Sequence, residues 1–429
     1  MTKRPVRLLG TAAAIAGVLG LTGPGAPLTI SAADGHVSAP PPAQDGTPEA
    51  FVAAVQAYLR THPDDARWWA ALADGYLRQA RSGADPAYHA RARRAVEHSL
   101  RLQPAGNVEA LITQGNLAIA RHDFRQARRS ARQALALDPA SAAAYGVLAD
   151  AHLNLGAVGE ATTATQRMLD LRPGVASFVR AANLLTYRGA PGRAARVLSK
   201  ALAMASAPEE TASCEHRLGE LAWSRGRPRE ALAAYRRALS ADPGMTAALV
   251  GAGRAEAALG RTEQALNSYR TAVIRHPEPT ALLELGELYT ALGRHADARR
   301  QFAVLAAHLR LNTADALTAG RYHADHGDPG LAVRYLLAEW RRRPAATVAD
   351  ALGWALHKAG RDTRALRYAS HAGTGTALFV YHRAEIERSL GRFDQAQIHL
   401  GRALRLNPHF SPIHAPRARA ALAKLNAVR

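Results

Sequence analysis

Eight glycines recur at nearly constant spacing: Gly156, Gly189, Gly226, Gly260, Gly293, Gly327, Gly360 and Gly391, separated by 33, 37, 34, 33, 34, 33 and 31 residues. Five residues after each stands an alanine, Ala161, Ala194, Ala231, Ala265, Ala298, Ala332, Ala365 and Ala396, with Ala127 one period earlier. Seven residues before each stands another small residue: Ala149, Ala182, Gly219, Gly253, Gly286, Gly320, Gly353 and Ala384. Three columns in step over eight copies restrict the chain to a repeat architecture, in which a unit buries its apolar face only against its neighbours.

Each column has a physical reading. The spaced glycines sit where a first helix must end, because glycine enters the left-handed C-terminal cap without steric penalty. The other two columns let a second helix lie close against the first. Pro139, Pro173, Pro243, Pro277, Pro344 and Pro408 then end the second helix. Apolar residues keep helical spacing in both, as in Leu218, Ala222, Leu232, Tyr235 and Leu239. The unit is therefore a helix, a tight turn and a helix.

These residues resemble the tetratricopeptide repeat. The family pattern is met by Leu218-Gly219, Ala231, Tyr235, Ala238 and Pro243, and by Leu285-Gly286, Tyr289, Ala298 and Phe302. Ten units start near residues 66, 108, 142, 175, 212, 246, 279, 313, 346 and 377. The first is too long, with the excess expected to loop out near Ser82 to Pro86, and extra residues lengthen the junction at Met204 to Glu210. The resemblance implies an all-α fold: a right-handed α-solenoid of about ten stacked helix-turn-helix repeats over 66–408, with the first helices lining a concave groove. A capping helix is expected over 47–65, begun by Thr47 as N-cap and Pro48 at the first helical position, and another over 409–429.

In this register the residue after the small one of the third column faces the groove: Asn116, Asp150, Asn183, Glu220, Arg254, Glu287, Arg321, Trp354 and Glu385. From Glu220 to Arg321 the signs alternate. Two readings stay open: pairing of Glu and Arg across neighbouring repeats, such as Arg254 with Glu287, or a polar track for a peptide of mixed charge. Tyr187, His216, Trp223, His357 and Tyr381 are the aromatic and histidine candidates on the same face, and Trp354 with His357 and Tyr381 is the densest group and preferred ligand site. One subset of the family grips carboxylate termini with Lys and Asn; Asn116 and Asn183 match its Asn, but Ile112 and Val179 stand where it has Lys.

Before the repeats, Lys3, Arg4 and Arg7 precede an uncharged apolar run from Leu8 to Leu21, followed by Gly23-Pro24-Gly25 and small residues at Ser31 and Ala33. This is the layout of a secretory signal over 1–33, with an N-terminal anchor as the alternative fate. Residues 34–46, with three consecutive prolines, read as a linker. Secretion or a place at the cell envelope is the expectation.

Chemistry is sparse. No catalytic residues, cofactor or metal site is expected. His323 and His326 lack a third ligand, His89 with His98 and His409 with His414 read as surface residues, and Cys214 reads as a buried thiol. The +20 charge rests on 55 basic residues, of which only four are Lys, so composition bias accounts for much of it. The expected function is an exported, non-enzymatic scaffold or adaptor that binds a peptide or protein in the groove. The alternative is a binding module for anionic envelope polymers or a membrane surface through convex clusters Arg91/Arg93/Arg94, Arg128/Arg129/Arg132 and Arg341/Arg342/Arg343. Export disfavours nucleic acid.

Overall fold

The computed structural model describes residues 47–83, 87–311 and 315–427. The proposed signal and linker, residues 1–46, and part of the expected loop at 82–86 lie outside the described residues. Among the described residues there are 22 α-helices and no strand. An opening helix, α1 (Pro48–Thr61), precedes ten hairpins. Their first helices are α2 (Ala66–Gly83), α4 (Val108–Ala120), α6 (Ala142–Asn154), α8 (Val175–Tyr187), α10 (Pro208–Ser224), α12 (Thr246–Ala258), α14 (Pro279–Ala291), α16 (Ala316–His326), α18 (Ala346–Lys358) and α20 (Ala377–Ser389). Their second helices are α3 (Ala87–Leu102), α5 (Phe124–Leu137), α7 (Val158–Leu171), α9 (Pro191–Met204), α11 (Pro228–Ala241), α13 (Thr262–Arg275), α15 (His295–Leu311), α17 (Pro329–Arg342), α19 (Asp362–Ala372) and α21 (Phe393–Leu406). A final helix, α22 (His414–Ala427), packs on α21.

Thr47 begins α1 by accepting the Ala50 amide on its hydroxyl at 3.3 Å. Each first helix packs on its own second helix, and most also meet the next first helix, which brings the first helices together on one face. The small column works as a socket. A β-carbon on Gly219 would lie 2.5 Å from the Tyr235 ring, and one on Gly286 2.2 Å from the Phe302 ring. The large residue sixteen positions later fills the space that the glycine leaves, and Tyr235 is wholly buried. The alanines five residues after the turn are buried throughout.

Where proline follows a second helix, the residue before it is extended, as at Asp138 and His276, and the helix stops there. Seven of the eight periodic glycines have a positive φ. Gly327 is the exception, with φ −141°. At that turn Asp328 caps α17 by accepting the Gly330 and Leu331 amides at 2.7 and 3.2 Å, so no left-handed residue is required. One period before Gly156 the position is His122, with a φ of 57°. The extra residues at 204–210 do not lengthen the junction as expected; they extend α10 to 17 residues, starting at Pro208.

The stack curves until distant hairpins touch. Arg342 donates to the His122 carbonyl at 3.1 Å, Arg125 to the Arg341 carbonyl at 3.0 Å, and the Arg343 guanidinium lies 5.4 Å from the centre of the Phe124 ring. A second contact joins the turn after α10 to the end of α21, where a β-carbon on Gly226 would meet Pro408 at 2.8 Å. The two contacts form a seam. They also correct the expectation for Arg341, Arg342 and Arg343: this cluster is not a free convex patch, and Arg343 is buried.

Candidate functional site: a chamber on the concave face

Six consecutive first helices, α10 to α20, line a cavity of about 550 Å³, and the segment from Asn407 to Arg419 closes its side. Its walls carry the carboxylates of Glu220, Glu284, Glu287, Asp325 and Asp350 and the guanidinium groups of Arg254, Arg321 and Arg419. Trp223, Leu288, Leu292 and Phe410 supply apolar surface.

The polar groups are organised by the repeat. Arg254 donates to Glu284 at 3.1 and 2.9 Å and to both oxygens of Glu220 at 3.3 Å. The tyrosines that fill the Gly219 and Gly253 sockets reach the same carboxylates: Tyr235 donates to Glu220 at 2.6 Å and Tyr269 to Glu284 at 2.9 Å. Burial opposes the charge of Arg254, but Glu284 and Glu220 outweigh it and hold its pKa well above the ordinary value. For Glu220, burial pulls upward while Arg254, His216 and the Tyr235 hydroxyl pull harder the other way, so its carboxyl lies below the usual range. Burial pushes both phenols up, and the carboxylates add to the shift.

Four residues of the expected groove column touch the residue three positions before the column in the next repeat. Asp150 pairs with Arg180 at 2.8 Å, Asn183 accepts from Arg217 at 2.8 Å, Arg254 pairs with Glu284, and Trp354 stacks on His382 with ring centres 4.2 Å apart. Residues three apart share a helix face, so the second column was readable in principle. Pairing across repeats is thus the observed arrangement, but Glu287 is not the partner of Arg254. Among the described residues Glu287 pairs with His326 alone, at 3.7 Å. Arg321 makes no hydrogen bond or ion pair with another described residue.

The preferred group around Trp354 is corrected. Trp354 and Tyr381 are 5% and 2% exposed, which makes them core. The Trp354 indole donates to Asp325 at 3.0 and 3.1 Å, and its ring lies 5.1 Å from His357 and 5.9 Å from Tyr381. Asp325 is the hub here: burial raises its carboxyl pKa, but His414, His382 and the indole hold it well below the usual range. Trp354 therefore forms a wall. On one side is the chamber; on the other a cavity of about 330 Å³ is lined by His357, Tyr381 and Glu385. His357 is 2.5 Å from Asp362, and Glu385 accepts from Arg388 at 2.7 Å.

Of the expected residues, Glu220, Trp223, Arg254, Glu287, Arg321 and Trp354 meet at the chamber. Asn183, Tyr187 and His216 do not line it; Tyr187 is exposed at the end of α8, and His216 lies 3.9 Å from Glu220. His414, expected at the surface, is buried against Asp325 at 3.5 Å. Cys214 is fully buried, and burial first, then Glu210 and Glu215 against Arg217, pushes its thiol up to about 11. His326 stacks on Phe302 with ring centres 4.3 Å apart.

No curated protein matches the chain. Solved structures similar to it include a tetratricopeptide repeat protein of Thermus thermophilus, 23% identical over 44% of this chain and 98% of that one, with a TM-score of 0.38. A tetratricopeptide repeat protein of Parabacteroides merdae is 21% identical over 59% of this chain and 98% of that one, with a TM-score of 0.35. The human IFIT1 dimer with m7Gppp-AAAA is 16% identical over 76% of each chain, with a TM-score of 0.49. Family models described as tetratricopeptide repeat match residues 112–176, 179–246, 216–266 and 250–311, and another matches 379–410, together more than half of the chain. With the hairpins, sockets and turns in the positions that those matches cover, the chain belongs to the tetratricopeptide repeat family.

Proposed function

We propose that the protein is an exported, non-enzymatic scaffold that holds a peptide or protein partner in the concave chamber. The family and its stacked architecture support a protein-interaction scaffold. The observation that carries the chamber as the holding site is its construction from six successive first helices, at a size within the range of ligand sites. Its charged groups are engaged mainly with one another, which suits recognition rather than bond chemistry. Export rests on the basic start and apolar run of residues 1–33.

A second reading, attachment to anionic polymers or a lipid surface, is favoured by one observation: Arg91, Arg93 and Arg94 are all exposed on α3. Affinity capture separates the two. The purified protein is incubated with culture fluid and with envelope extract at low and high salt, alongside Trp223→Ala and an Arg91/Arg93/Arg94→Gln triple variant. The scaffold reading expects a protein partner that Trp223→Ala loses and the triple variant keeps. Retention of polymer or lipid that only the triple variant loses, and that salt abolishes, contradicts it.

A further inference from the structure

We infer that the chamber selects a basic, extended peptide segment, one whose Lys or Arg side chain reaches Glu287. This deepens the groove reading proposed above and rests on it. The whole chain is strongly basic, with 55 Lys and Arg against 35 Asp and Glu. The chamber lining reverses that balance, with five carboxylates facing three guanidinium groups and the imidazoles of His382, His409 and His414. Part of this surplus is countered: Asp350 faces His382 at 3.0 Å, and Asp325 faces His414 at 3.5 Å and Lys358 at 3.9 Å. Arg254 is shared by Glu220 and Glu284, so one cation serves two carboxylates. Glu287, with 14% of its side chain exposed, has among the described residues only an imidazole, at 3.7 Å.

A concave site with low-dielectric walls concentrates such a surplus. A cationic side chain that enters can form a charge-assisted hydrogen bond with Glu287. Leu292, just past the end of the same helix and 38% exposed, offers apolar surface to its methylene stem, with Leu288 behind it. The ring of Trp223 already holds the Arg254 guanidinium 5.6 Å from its centre, which shows a face suited to cations. Arg321, facing the same cavity without a partner among the described residues, gives the segment a direction by repelling a second cation and attracting a carbonyl or an acid. The outer surface works in the opposite sense. Its positive field draws acidic peptides and repels basic ones, so a basic peptide that binds does so through the chamber.

The test is a panel of labelled hexapeptides with basic, acidic or neutral central pairs in varied apolar flanks, titrated by fluorescence anisotropy against the full chain. Basic members are expected to bind about tenfold more tightly than their acidic counterparts, a difference of about 1.4 kcal/mol. Glu287→Gln is expected to weaken them several-fold and Arg321→Glu to tighten them, with unchanged thermal melting of both variants. Basic peptides that fail to bind, or that ignore both substitutions, overturn the inference. If neutral or acidic peptides bind and Trp223→Ala abolishes that binding, the charge preference falls while the groove reading stands. If no peptide responds to Trp223→Ala, both fall.

Discussion

The side-chain amide of Asn407 donates to the backbone carbonyl of Trp223, 184 positions earlier in the chain, at 2.8 Å. Asn407 is 2% exposed and Trp223 lines the chamber, so this bond closes the seam and completes one wall of the site. Asn407→Ala removes this bond from a carbonyl that keeps only the Gly226 amide, at 2.9 Å, a loss of about 0.5–1.5 kcal/mol. The expected outcome is a lower denaturation midpoint and a larger radius of gyration by small-angle X-ray scattering. Unchanged dimensions would mean that the seam does not hold the curvature.

The inter-repeat pairing makes a selective demand on double-mutant cycles. Arg254 is expected to couple to Glu284 and to Glu220 by about 1 kcal/mol each. Its coupling to Glu287, the neighbour that alternation of sign suggests, should be close to zero. Equal coupling to all three carboxylates would replace specific pairs with a diffuse field.

Trp354 separates packing from recognition. Trp354→Ala removes a buried ring that stacks on His382 and donates to Asp325, and a loss of about 3–5 kcal/mol is expected. The loss should concentrate in α16 to α22 when followed by hydrogen exchange. A variant that melts like the parent but loses its partner would restore Trp354 to the binding face.

His152 gives the molecule an acid sensitivity. It is 5% exposed; burial lowers its pKa, Glu160 pulls the other way, and Arg128 and Arg132 lower it further. The unfolded chain therefore takes up this proton first as pH falls. Its contribution is complete above the ordinary histidine value of about 6.5 and is lost as pH drops through the lower folded value. Melting temperature should decline over that interval, and His152→Gln should flatten the decline. An identical decline in the variant assigns it to other groups.

Much of the fold was legible because its determinants are small and periodic. Gly219 and Gly286 mark sockets, and Pro243 and Pro408 mark ends, from sequence spacing alone. Gly327 was misread because an Asp cap performs the turn that glycine performs elsewhere. The column through Glu220, Arg254 and Arg321 located half of the chamber, whereas Glu284 and Asp350 needed the neighbouring positions on the same helix faces. The seam was not legible. It results from small rotations summed over several repeats, and no local pattern at Asn407 or Arg342 announces the distant partner. Trp354 was ambiguous for another reason: an aromatic ring that packs between repeats has the same sequence spacing as one that faces a ligand.

Site-specific photocrosslinking tests the central claim most directly. A benzophenone amino acid is placed at Ala291, an exposed residue of the chamber wall, or at Ile274, which is 83% exposed on α13. Each variant is irradiated with the extract that supplies the partner. Holding in the chamber predicts a covalent adduct from position 291 and none from 274; an adduct from 274 with none from 291 would contradict it.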